Sequence, residues 1–318
     1  MPDEKSIPYT VIGGASGPGA RERFPLTVIL LDRGGHLYRP ELFDSLDKLG
    51  LRSVISIEEG PETGDASVLS QRFPAARFIV LNEKASPGAR INIGMRECSD
   101  PFALVLWSDM RILSAGLSSR FSERLSEQNR LCSAPYLQGQ KGELLPCATA
   151  PAFEKQNLRL IQLPPQADGA RTVYPFDFAG IYSKSKFILS GGFDSSIASP
   201  YWQKLDFGFR AWLWGEEIRL IQALPVAYMS EPAQEDQTVD SSYRWFWLKN
   251  LAPSYRSDGA VVPRMRYWSY LRSRGGNPFA ALSEFNAAAQ WVHINRYRFH
   301  CDAPGLVDLW EDETHELR

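Results

Sequence analysis

Acidic residues stand at the ends of three short apolar runs in the first half of the chain. They are Asp32, Glu58 and Asp109, which come directly after a run or two residues after its last apolar position. A carboxylate accepts hydrogen bonds from the edge of a nucleobase, and its oxygens are hard ligands for Mg²⁺ or Mn²⁺. If the runs are parallel strands, their carboxyl ends meet in one crevice, which is where ligands bind in open α/β sheets. The three carboxylates therefore predict a site that binds a metal ion or hydrogen-bond donors.

The apolar runs alternate with stretches of helical periodicity, as in a parallel sheet whose strands are joined by crossover helices. The predicted strands are Leu26–Leu31, Ser53–Ile57, Arg77–Leu81 and Leu104–Trp107, and the predicted helices are Arg39–Leu49, Ala66–Phe73 and Ala89–Glu97. In the first helix, Pro40 suits the first turn and Gly50 suits the end. The pattern predicts an α/β fold with a mostly parallel central sheet and flanking helices.

The second half of the chain is interpreted as the remainder of this domain followed by an extension. A Gly-Gly turn in Gly191–Asp194 precedes a helix predicted over Tyr201–Glu216, and from about residue 240 the pattern is helical throughout. A long helix is predicted from Asn277 to about Tyr297. The chain is therefore divided into a flexible lead-in at 1–23, an α/β domain at 24–235 and a helical, aromatic–basic extension with an acidic tail at 236–318.

Charge is unevenly distributed although the net charge is only −2. Residues 241–300 carry nine Lys and Arg against two acidic residues, and Arg264–Arg274 mixes arginines with Tyr and Trp. This composition favours helices that pack on the sheet, with arginine stems covering aromatic rings. It also suits a phosphate-bearing acceptor or anionic lipid headgroups at a membrane surface. Single-stranded nucleic acid fits it less well.

Several classes of protein are disfavoured by the sequence. No apolar run reaches the roughly 18 to 20 residues that span a bilayer, and no apolar signal-peptide core follows the N-terminus. We therefore expect a cytoplasmic location, with the periphery of the inner membrane face as an alternative. The four cysteines include no Cys-x-x-Cys pair, which disfavours a disulfide framework or a zinc site. Gly13–Gly19 lacks the Gly-Lys-Ser/Thr of a phosphate-binding loop, which favours a flexible lead-in.

Five landmarks, in order along the chain, make it resemble the family 2 glycosyltransferases. The landmarks are Asp32-Arg33, Glu58-Glu59-Gly60, Gly88-Ala89-Arg90-Ile91-Asn92-Ile93-Gly94, Leu104-Val105-Leu106-Trp107-Ser108-Asp109, and Gly191-Gly192-Phe193-Asp194 with the segment from Gln203 to Arg210. In that family the matching features are an Asn-Arg pair, an acidic pair that contacts the base, a helix start with Gly and Asn, an Asp-x-Asp motif, and the acceptor side. The resemblance implies the glycosyltransferase A-type fold and the transfer of a sugar from a nucleotide donor.

The resemblance also implies which residues form the donor side and the acceptor side. The implied donor-binding residues are Asp32, Arg33, Glu58, Glu59, Gly88, Arg90, Asn92, Trp107 and Asp109, and the implied acceptor-side residues are Trp202, Gln203 and Lys204. Asp109 is the implied ligand of Mn²⁺ or Mg²⁺, which neutralises the diphosphate of the donor. The implied partners are a nucleotide sugar and an acceptor of unknown kind, which is a glycan, a lipid phosphate or a protein.

The catalytic positions depart from the family pattern. Trp107 replaces the first aspartate of Asp-x-Asp, and Gln203-Lys204 replaces the acidic pair that contains the general base. A protonated lysine cannot accept the acceptor's proton, and such base catalysis is worth about 10²- to 10⁴-fold in rate. Asp206 and Asp194 are weak candidates for a displaced catalytic base, as is Asp177.

Three functions remain open from the sequence. The first is a glycosyltransferase, with a displaced base or a retaining reaction, in glycan or cell-envelope synthesis. The second is a catalytically degenerate protein that keeps the fold for binding or as a partner subunit. The third is a polyanion-binding protein that acts through its basic C-terminal helices.

Overall fold

The central feature of the molecule is a nine-stranded sheet. The structure is a computed structural model and describes residues 7–14, 23–33, 39–60, 64–114, 117–154 and 157–316, to which all counts refer. In the order in which they lie side by side, the strands are β1 (Tyr9–Gly13), β4 (Ala76–Leu81), β3 (Leu51–Glu59), β2 (Phe24–Leu31), β5 (Phe102–Trp107), β10 (Gly180–Ser183), β7 (Cys132–Gln138), β11 (Ile218–Tyr228) and β6 (Met110–Ile112). Strands β4, β3, β2 and β5 are parallel, as are β7 and β11, whereas β1, β10 and β6 run antiparallel to their neighbours. The predicted mostly parallel α/β architecture is confirmed.

Helices connect the strands and form the C-terminal part of the chain. They are α1 (Arg39–Lys48), α2 (Gly64–Arg72), α3 (Pro87–Glu97), α4 (Ser119–Gln128), α5 (Lys184–Leu189), α6 (Pro200–Leu213), α7 (Ser241–Phe246), α8 (Arg266–Arg274), α9 (Pro278–Asn295) and α10 (Ala303–Glu316). A π-helical segment, Trp247–Leu251, continues α7. Two hairpins stand apart from the main sheet, β8 (Ala148–Glu154) with β9 (Asn157–Leu163) and β12 (Ser254–Arg256) with β13 (Gly259–Val261).

The central strands owe their continuous apolar sequences to burial on both faces. In β2, the residues from Leu26 to Leu31 are almost completely buried, and helices α3 and α4 contact this strand. The polar member of this run, Thr27, hydrogen-bonds through Oγ1 to Asp100 Oδ2 at 2.7 Å and lies 2.8 Å from Ser53 Oγ. A buried hydroxyl is tolerated here because it is paired.

Helix α3 is the element that brings side chains from the sheet's flank to the ends of the strands. Ser86 caps its N-terminus and Pro87 occupies its first turn. Gly94 lets the helix lie close against β2, since a Cβ atom there would come within 2.7 Å of Ile29 Cγ2. The first turns of α3 therefore lie beside the carboxyl ends of β2 and β3.

The N-terminal segment contributes an edge strand to the sheet. Tyr9–Gly13 pairs antiparallel with β4, so these residues are part of the sheet although the sequence placed them in a lead-in. Their pairing partners lie between 64 residues away, for Gly13 and Arg77, and 72 residues away, for Tyr9 and Leu81, and local sequence carries no sign of this pairing. The remainder of the glycine-rich stretch, residues 15–19, lies outside the described residues.

The C-terminal part is more varied than predicted. Asn277 caps α9 as expected, because its side chain accepts a hydrogen bond from the Phe279 amide. The prediction of helix throughout from residue 240 is wrong at the β12–β13 hairpin, where Ser257 adopts a left-handed conformation (φ 54°) in the turn. Phe246, Phe299 and Trp310 join the main hydrophobic core. The extension therefore packs against the α/β domain.

Candidate functional site

The carboxyl ends of β2, β3 and β5 lie side by side at one edge of the sheet. In register, Leu31 is paired with Ile57 on β3 and with Trp107 on β5. The residues that follow meet directly: Ser108 Oγ donates to Asp32 Oδ1 at 3.2 Å and accepts from the Arg33 amide at 3.1 Å. The structure thus brings the strand-end residues predicted from the sequence into one crevice.

Arg33 stands at the centre of this crevice. Its Nη1 lies 3.4 Å from Asp109 Oδ2, and its Nη2 forms a close ion pair with Asp177 Oδ2. Its guanidinium also lies over the Trp107 ring, 4.0 Å from the ring centroid, a distance typical of a cation–π contact. One cation therefore holds two carboxylates that are 68 residues apart in sequence.

Asp177 is held in position by several contacts. The Trp107 indole nitrogen donates to the Asp177 carbonyl at 2.8 Å, and Tyr228 OH donates to Asp177 Oδ2 at 2.8 Å. Burial raises the pKa of Tyr228 well above its ordinary value, and the neighbouring Asp177 carboxylate raises it further. The hydroxyl therefore remains a proton donor to that carboxylate. Asp177 and Phe178 both have positive φ, 52° and 62°, a conformation that occurs most often at structurally or functionally constrained positions.

Asp109 is anchored by the end of β11. Ser230 Oγ donates to Asp109 Oδ2 at 2.6 Å, and the Met229 amide donates to the Asp109 carbonyl at 2.7 Å. The other carboxylate oxygen, Oδ1, is buried and accepts no hydrogen bond from the described part of the chain. A buried carboxylate oxygen without a donor is costly, so this atom indicates a place for a cationic or hydrogen-bonding ligand.

Arg90 and the acidic pair on β3 form the second half of the crevice. Arg90 Nη1 donates to the Asp32 carbonyl at 3.0 Å, and Arg90 Nε lies 3.6 Å from Glu59 Oε1. Burial lowers the pKa of Arg90, and Arg33 lowers it further, while Glu59 and Asp32 oppose the shift. Glu58 is buried and accepts from Ser56 Oγ at 2.6 Å, whereas Glu59 is exposed.

Gly88 and Asn92 contact the acceptor-side loop. Asn92 exchanges two hydrogen bonds with the backbone of Phe193, donating to its carbonyl at 2.7 Å and accepting from its amide at 2.9 Å. Gly192 has φ 65°, and a Cβ atom there would come within 2.6 Å of Asn92 Oδ1. The Gly88 amide donates to Gln203 Oε1 at 2.9 Å. These two residues position the loop, and their contact with a donor stays a prediction.

Gln203 joins three segments of the chain. It is completely buried, and its Nε2 donates to Ser86 Oγ and to the Asp194 carbonyl, both at 2.9 Å. A glutamate at this position could only accept, so the amide is the group that satisfies both donors and acceptors. Trp202, beside it, is buried, and its indole donates to the Thr238 carbonyl at 2.8 Å.

Lys204 is paired with a carboxylate that sequence reasoning missed. Its Nζ forms a close ion pair with Glu235 Oε1, and Tyr174 OH donates to Glu235 Oε2 at 3.3 Å. The ammonium is surrounded by aromatic rings, with the centroids of Tyr174 and Phe178 at 5.2 and 5.4 Å. Glu235 lies in the segment between β11 and α7, whose first residues, Met229 and Ser230, contact Asp109.

Asp206 and Asp194, the two predicted catalytic candidates, share a single buried lysine. Lys249 Nζ lies 2.7 Å from Asp194 Oδ2 and 3.0 Å from Asp206 Oδ1. Asp206 is completely buried and also accepts from Asn250 Nδ2 at 2.8 Å. Burial by itself raises the pKa of Asp194, but Lys249 and Ser196 together lower it well below its ordinary value. Neither carboxylate contacts Arg33 or Asp109 in the described part of the chain, and a catalytic role for them stays a prediction.

The contributions of Tyr228, Ser230 and Glu235 were not foreseen from the sequence. A signal was available for Tyr228 and Ser230, because they lie at the end of the apolar run of β11. Asp32 and Asp109 likewise follow the ends of apolar runs. Glu235 carried no comparable signal, since it lies in an irregular segment of mixed composition.

Two cavities of about 220 and 210 Å³ lie elsewhere, at the opposite ends of β3 and β4 and beside Trp212 and Trp310.

Comparison with known proteins identifies the fold of the chain. No protein-family model and no curated protein matches the chain. The chain is similar in structure to GalNAc-T7, crystallised with UDP, GalNAc and Mn²⁺, with a TM-score of 0.53 at 9% identity, over 71% of this chain and 50% of that one.

The chain is also similar in structure to TarS of S. aureus. The TM-score is 0.48 at 13% identity, over 86% of this chain and 55% of TarS. For TarS 1–349 in complex with UDP-GlcNAc the TM-score is 0.49 at 13% identity, over 83% and 72%. The chain thus spans about half the length of GalNAc-T7 and of TarS. With the order and direction of its strands, the similarity to GalNAc-T7 establishes that this chain has the glycosyltransferase A-type fold.

Proposed function

We propose that the chain binds a nucleotide sugar in the crevice at the ends of β2, β3 and β5 and transfers the sugar to an acceptor. The observation that carries the proposal is the convergence of Arg33, Arg90 and Asp109 at this edge of a glycosyltransferase A-type sheet. Ligands of open α/β sheets bind beyond the carboxyl ends of the strands. The UDP present in GalNAc-T7 and the UDP-GlcNAc present in TarS support a nucleotide-sugar ligand of this general kind.

The donor is assigned to the crevice as follows. The carboxylates of Glu58 and Glu59, on β3, accept hydrogen bonds from the base. Arg33 and Arg90 face the diphosphate, since guanidinium groups bind phosphate oxygens in a bidentate manner. The Asp32 carbonyl accepts a hydrogen bond from Arg90, and the Asp32 carboxylate accepts one from Ser108 Oγ.

The residues present fit a divalent metal beside Asp109. Its Oδ1 is buried and without a hydrogen-bond donor in the described chain, and carboxylate oxygens are the ligands that Mg²⁺ and Mn²⁺ prefer. Among the described residues no group of three or more His, Cys, Asp or Glu forms a complete metal cage. Asp109 would therefore hold the ion together with oxygens of the donor, and the ion would supply charge for the leaving diphosphate.

Glu235 is proposed to accept the proton of the acceptor hydroxyl. Lys204, which occupies the family's base position, holds the Glu235 carboxylate from one side and Tyr174 OH holds it from the other. Glu235 lies in the segment between β11 and α7, and we propose that its carboxylate replaces the acidic residue that the family has where this chain has Lys204. The acceptor is proposed to be a glycan, a lipid phosphate or a protein.

A second candidate function is nucleotide-sugar binding without transfer. It is favoured by Gln203 and Lys204, whose side chains are committed to internal contacts at the positions of the family's acidic pair. In that case the crevice binds the donor, and Glu235 has only the structural task of neutralising Lys204.

Exposed aromatic and basic side chains of α8 and α9 support a contact with anionic lipid headgroups. Tyr270 packs inward against Phe285, whereas Met265, Trp268 and Phe279 are exposed. No helix in the described ranges is long and apolar enough to cross a membrane. We propose that these exposed side chains form a peripheral contact with a membrane surface.

The test of the proposed function is thermal stability in the presence of UDP-, GDP- and CDP-sugars, with and without Mn²⁺. We expect one nucleotide sugar to raise the melting temperature, because a ligand that binds only the folded state stabilises it. Asp109→Ala should abolish the shift, whereas Asp168→Ala, which removes an arginine-paired carboxylate outside the crevice, should leave it in place. The absence of any shift with all donors would reject the proposal.

Donor hydrolysis then separates transfer from binding alone. If Glu235 accepts the proton, Glu235→Gln should lower the turnover of the donor while the affinity for the donor stays unchanged. A wild-type protein that binds the donor and never turns it over, with water or with candidate acceptors, would instead favour the binding function.

A further inference from the structure

The crevice contains two carboxylates that point at one cation. Asp109 and Asp177 contact different nitrogens of the Arg33 guanidinium, through one oxygen each. They come from different parts of the sheet: Asp109 follows β5, whereas Asp177 lies in the turn before β10. The family motif that the chain resembles would have supplied both carboxylates from one segment, but Trp107 stands at the first position of the motif.

Trp107 itself holds the second carboxylate in place. Its indole N–H donates to the Asp177 carbonyl, and its ring lies under the Arg33 guanidinium that Asp177 contacts. Tyr228 OH adds a hydrogen bond to the Asp177 carboxylate itself. Trp107, which stands where the motif has its first aspartate, is thus the residue that holds Asp177 beside Asp109.

We infer that Asp177 is the second carboxylate of the metal site. Without metal and donor, the Arg33 guanidinium is the cation that pairs with Asp109 and Asp177, and it moves away from them when the metal and the donor bind. The inference rests on the proposed function, because the metal is expected to arrive with a donor diphosphate. It assigns to Asp177 a role in metal binding rather than in proton transfer.

The charges of the crevice explain why a resident cation is needed. Among the described side chains of the crevice, five carboxylates (Asp32, Glu58, Glu59, Asp109 and Asp177) face two guanidinium groups, those of Arg33 and Arg90. Two carboxylates held close together repel each other unless a cation lies between them. Arg33 supplies that cation when the donor is absent.

Arg33 is also suited to move. Its side chain is partly exposed, and its contact with Trp107 is a non-directional cation–π contact rather than a fixed hydrogen bond. A small rotation would keep the guanidinium on the indole while its nitrogens turn from the carboxylates to phosphate oxygens. Asp109 Oδ1, which accepts no hydrogen bond in the described chain, provides a further ligand atom for the incoming ion.

The experiment is a titration of Mn²⁺ into the full chain, followed by the electron paramagnetic resonance signal of the free ion, with and without UDP. We expect Asp177→Asn and Asp109→Asn each to raise the Kd for Mn²⁺ roughly tenfold or more, since even second-shell changes at metal sites cost 10- to 100-fold. Arg33→Ala should lower the Kd for Mn²⁺ measured without UDP, because it removes the competing cation. Asp177→Asn keeps the fold, since asparagine adopts positive φ readily.

Asp168→Asn is the matched control, because Asp168 pairs with Arg124 outside the crevice, and its Kd for Mn²⁺ should equal that of the wild type. The inference is overturned if Asp177→Asn behaves like this control, if Arg33→Ala weakens Mn²⁺ binding, or if the wild type binds no Mn²⁺ with or without UDP. Failure of the proposed function gives a different result: no nucleotide sugar binds, while the titration with Mn²⁺ alone still reports on Asp109, Asp177 and Arg33.

Discussion

The crevice at the ends of β2, β3 and β5 and the surroundings of α6 both contain clusters of charged groups, but their burial differs. In the crevice, the side chains of Arg33, Asp109 and Asp177 are 21%, 14% and 16% exposed, and one oxygen of Asp109 accepts no hydrogen bond in the described chain. Around α6, Asp206 is completely buried and the Lys249 side chain is 4% exposed, and the two are paired. Ion pairs that are almost completely closed off from solvent serve the fold, whereas partly exposed charged groups are available to a ligand.

This difference indicates that the two regions have different roles. Gln203 and Asp206 hold segments of the chain together, whereas Arg33 and Asp109 are residues for which we propose ligand binding. Substitutions near α6 should therefore lower the free energy of unfolding, and substitutions in the crevice should lower the affinity for ligands. Four substitutions test this contrast, and their expected effects on stability decrease from Lys249→Met through Gln203→Glu and Asp194→Asn to Asp109→Asn.

The largest effect is expected for Lys249→Met. The substitution leaves Asp194 and Asp206 without their shared cation, and removing one partner of a buried ion pair costs about 3 to 5 kcal/mol. Chemical denaturation measures the change. Arg159→Gln breaks an exposed pair with Glu154 and should cost no more than about 1 kcal/mol. Equal losses in the two variants would show that the network around Lys249 is not the stabilising element we describe.

The second effect is that of Gln203→Glu, which restores the acidic residue of the family pattern. An ionised glutamate cannot donate to the Asp194 carbonyl, which keeps only the Ile197 amide as a donor, nor to Ser86 Oγ, so two buried hydrogen bonds are lost at a cost of about 1 to 3 kcal/mol. Thermal and chemical denaturation should both report the loss. Gln162→Glu, on the exposed face of β9, serves as the control for the same chemical change. A variant as stable as the wild type would indicate that the Gln203 amide can be replaced by an acid.

The fold was largely predictable from the sequence, because it depends on local patterns. The apolar runs around Leu26–Leu31 and Leu104–Trp107 have the length and flanks of buried parallel strands, and the carboxylates that follow them must share an edge of the sheet. The convergence of Asp32 and Asp109 follows from this topology alone, since β2 and β5 are neighbours.

The site could be predicted only in part, because many of its contacts join segments that are far apart in the sequence. Arg33 and Asp177 are 144 residues apart, and Lys204 meets Glu235 through an irregular segment. Asp177 was predicted as a candidate for a displaced catalytic base, but not as a partner of Arg33. Its position depends on a left-handed turn and on the Trp107 indole, neither of which produces a periodic signal.

The third effect concerns pH and Asp194. Burial by itself raises the pKa of this carboxyl, but Lys249 and Ser196 hold it below the ordinary value. The lowered pKa in the folded state stabilises the fold above the ordinary aspartate pKa of about 3.9, and this stabilisation is lost as the pH falls below it. The free energy of unfolding should therefore fall more steeply from pH 5 to pH 2 in the wild type than in Asp194→Asn, by on the order of 1 kcal/mol. Parallel curves for the two proteins would contradict the shift.

The smallest effect on stability is expected in the crevice, for Asp109→Asn. The amide keeps an oxygen that can accept from Ser230 Oγ, and the loss of one negative charge reduces repulsion among the carboxylates around Arg33. The free energy of unfolding should change by less than about 1 kcal/mol, as for a partly exposed ion pair. Donor-induced stabilisation in the presence of Mn²⁺ should nevertheless disappear. A large loss of stability in Asp109→Asn, with ligand binding retained, would reverse the comparison, because the crevice would then serve the fold as the groups around α6 do.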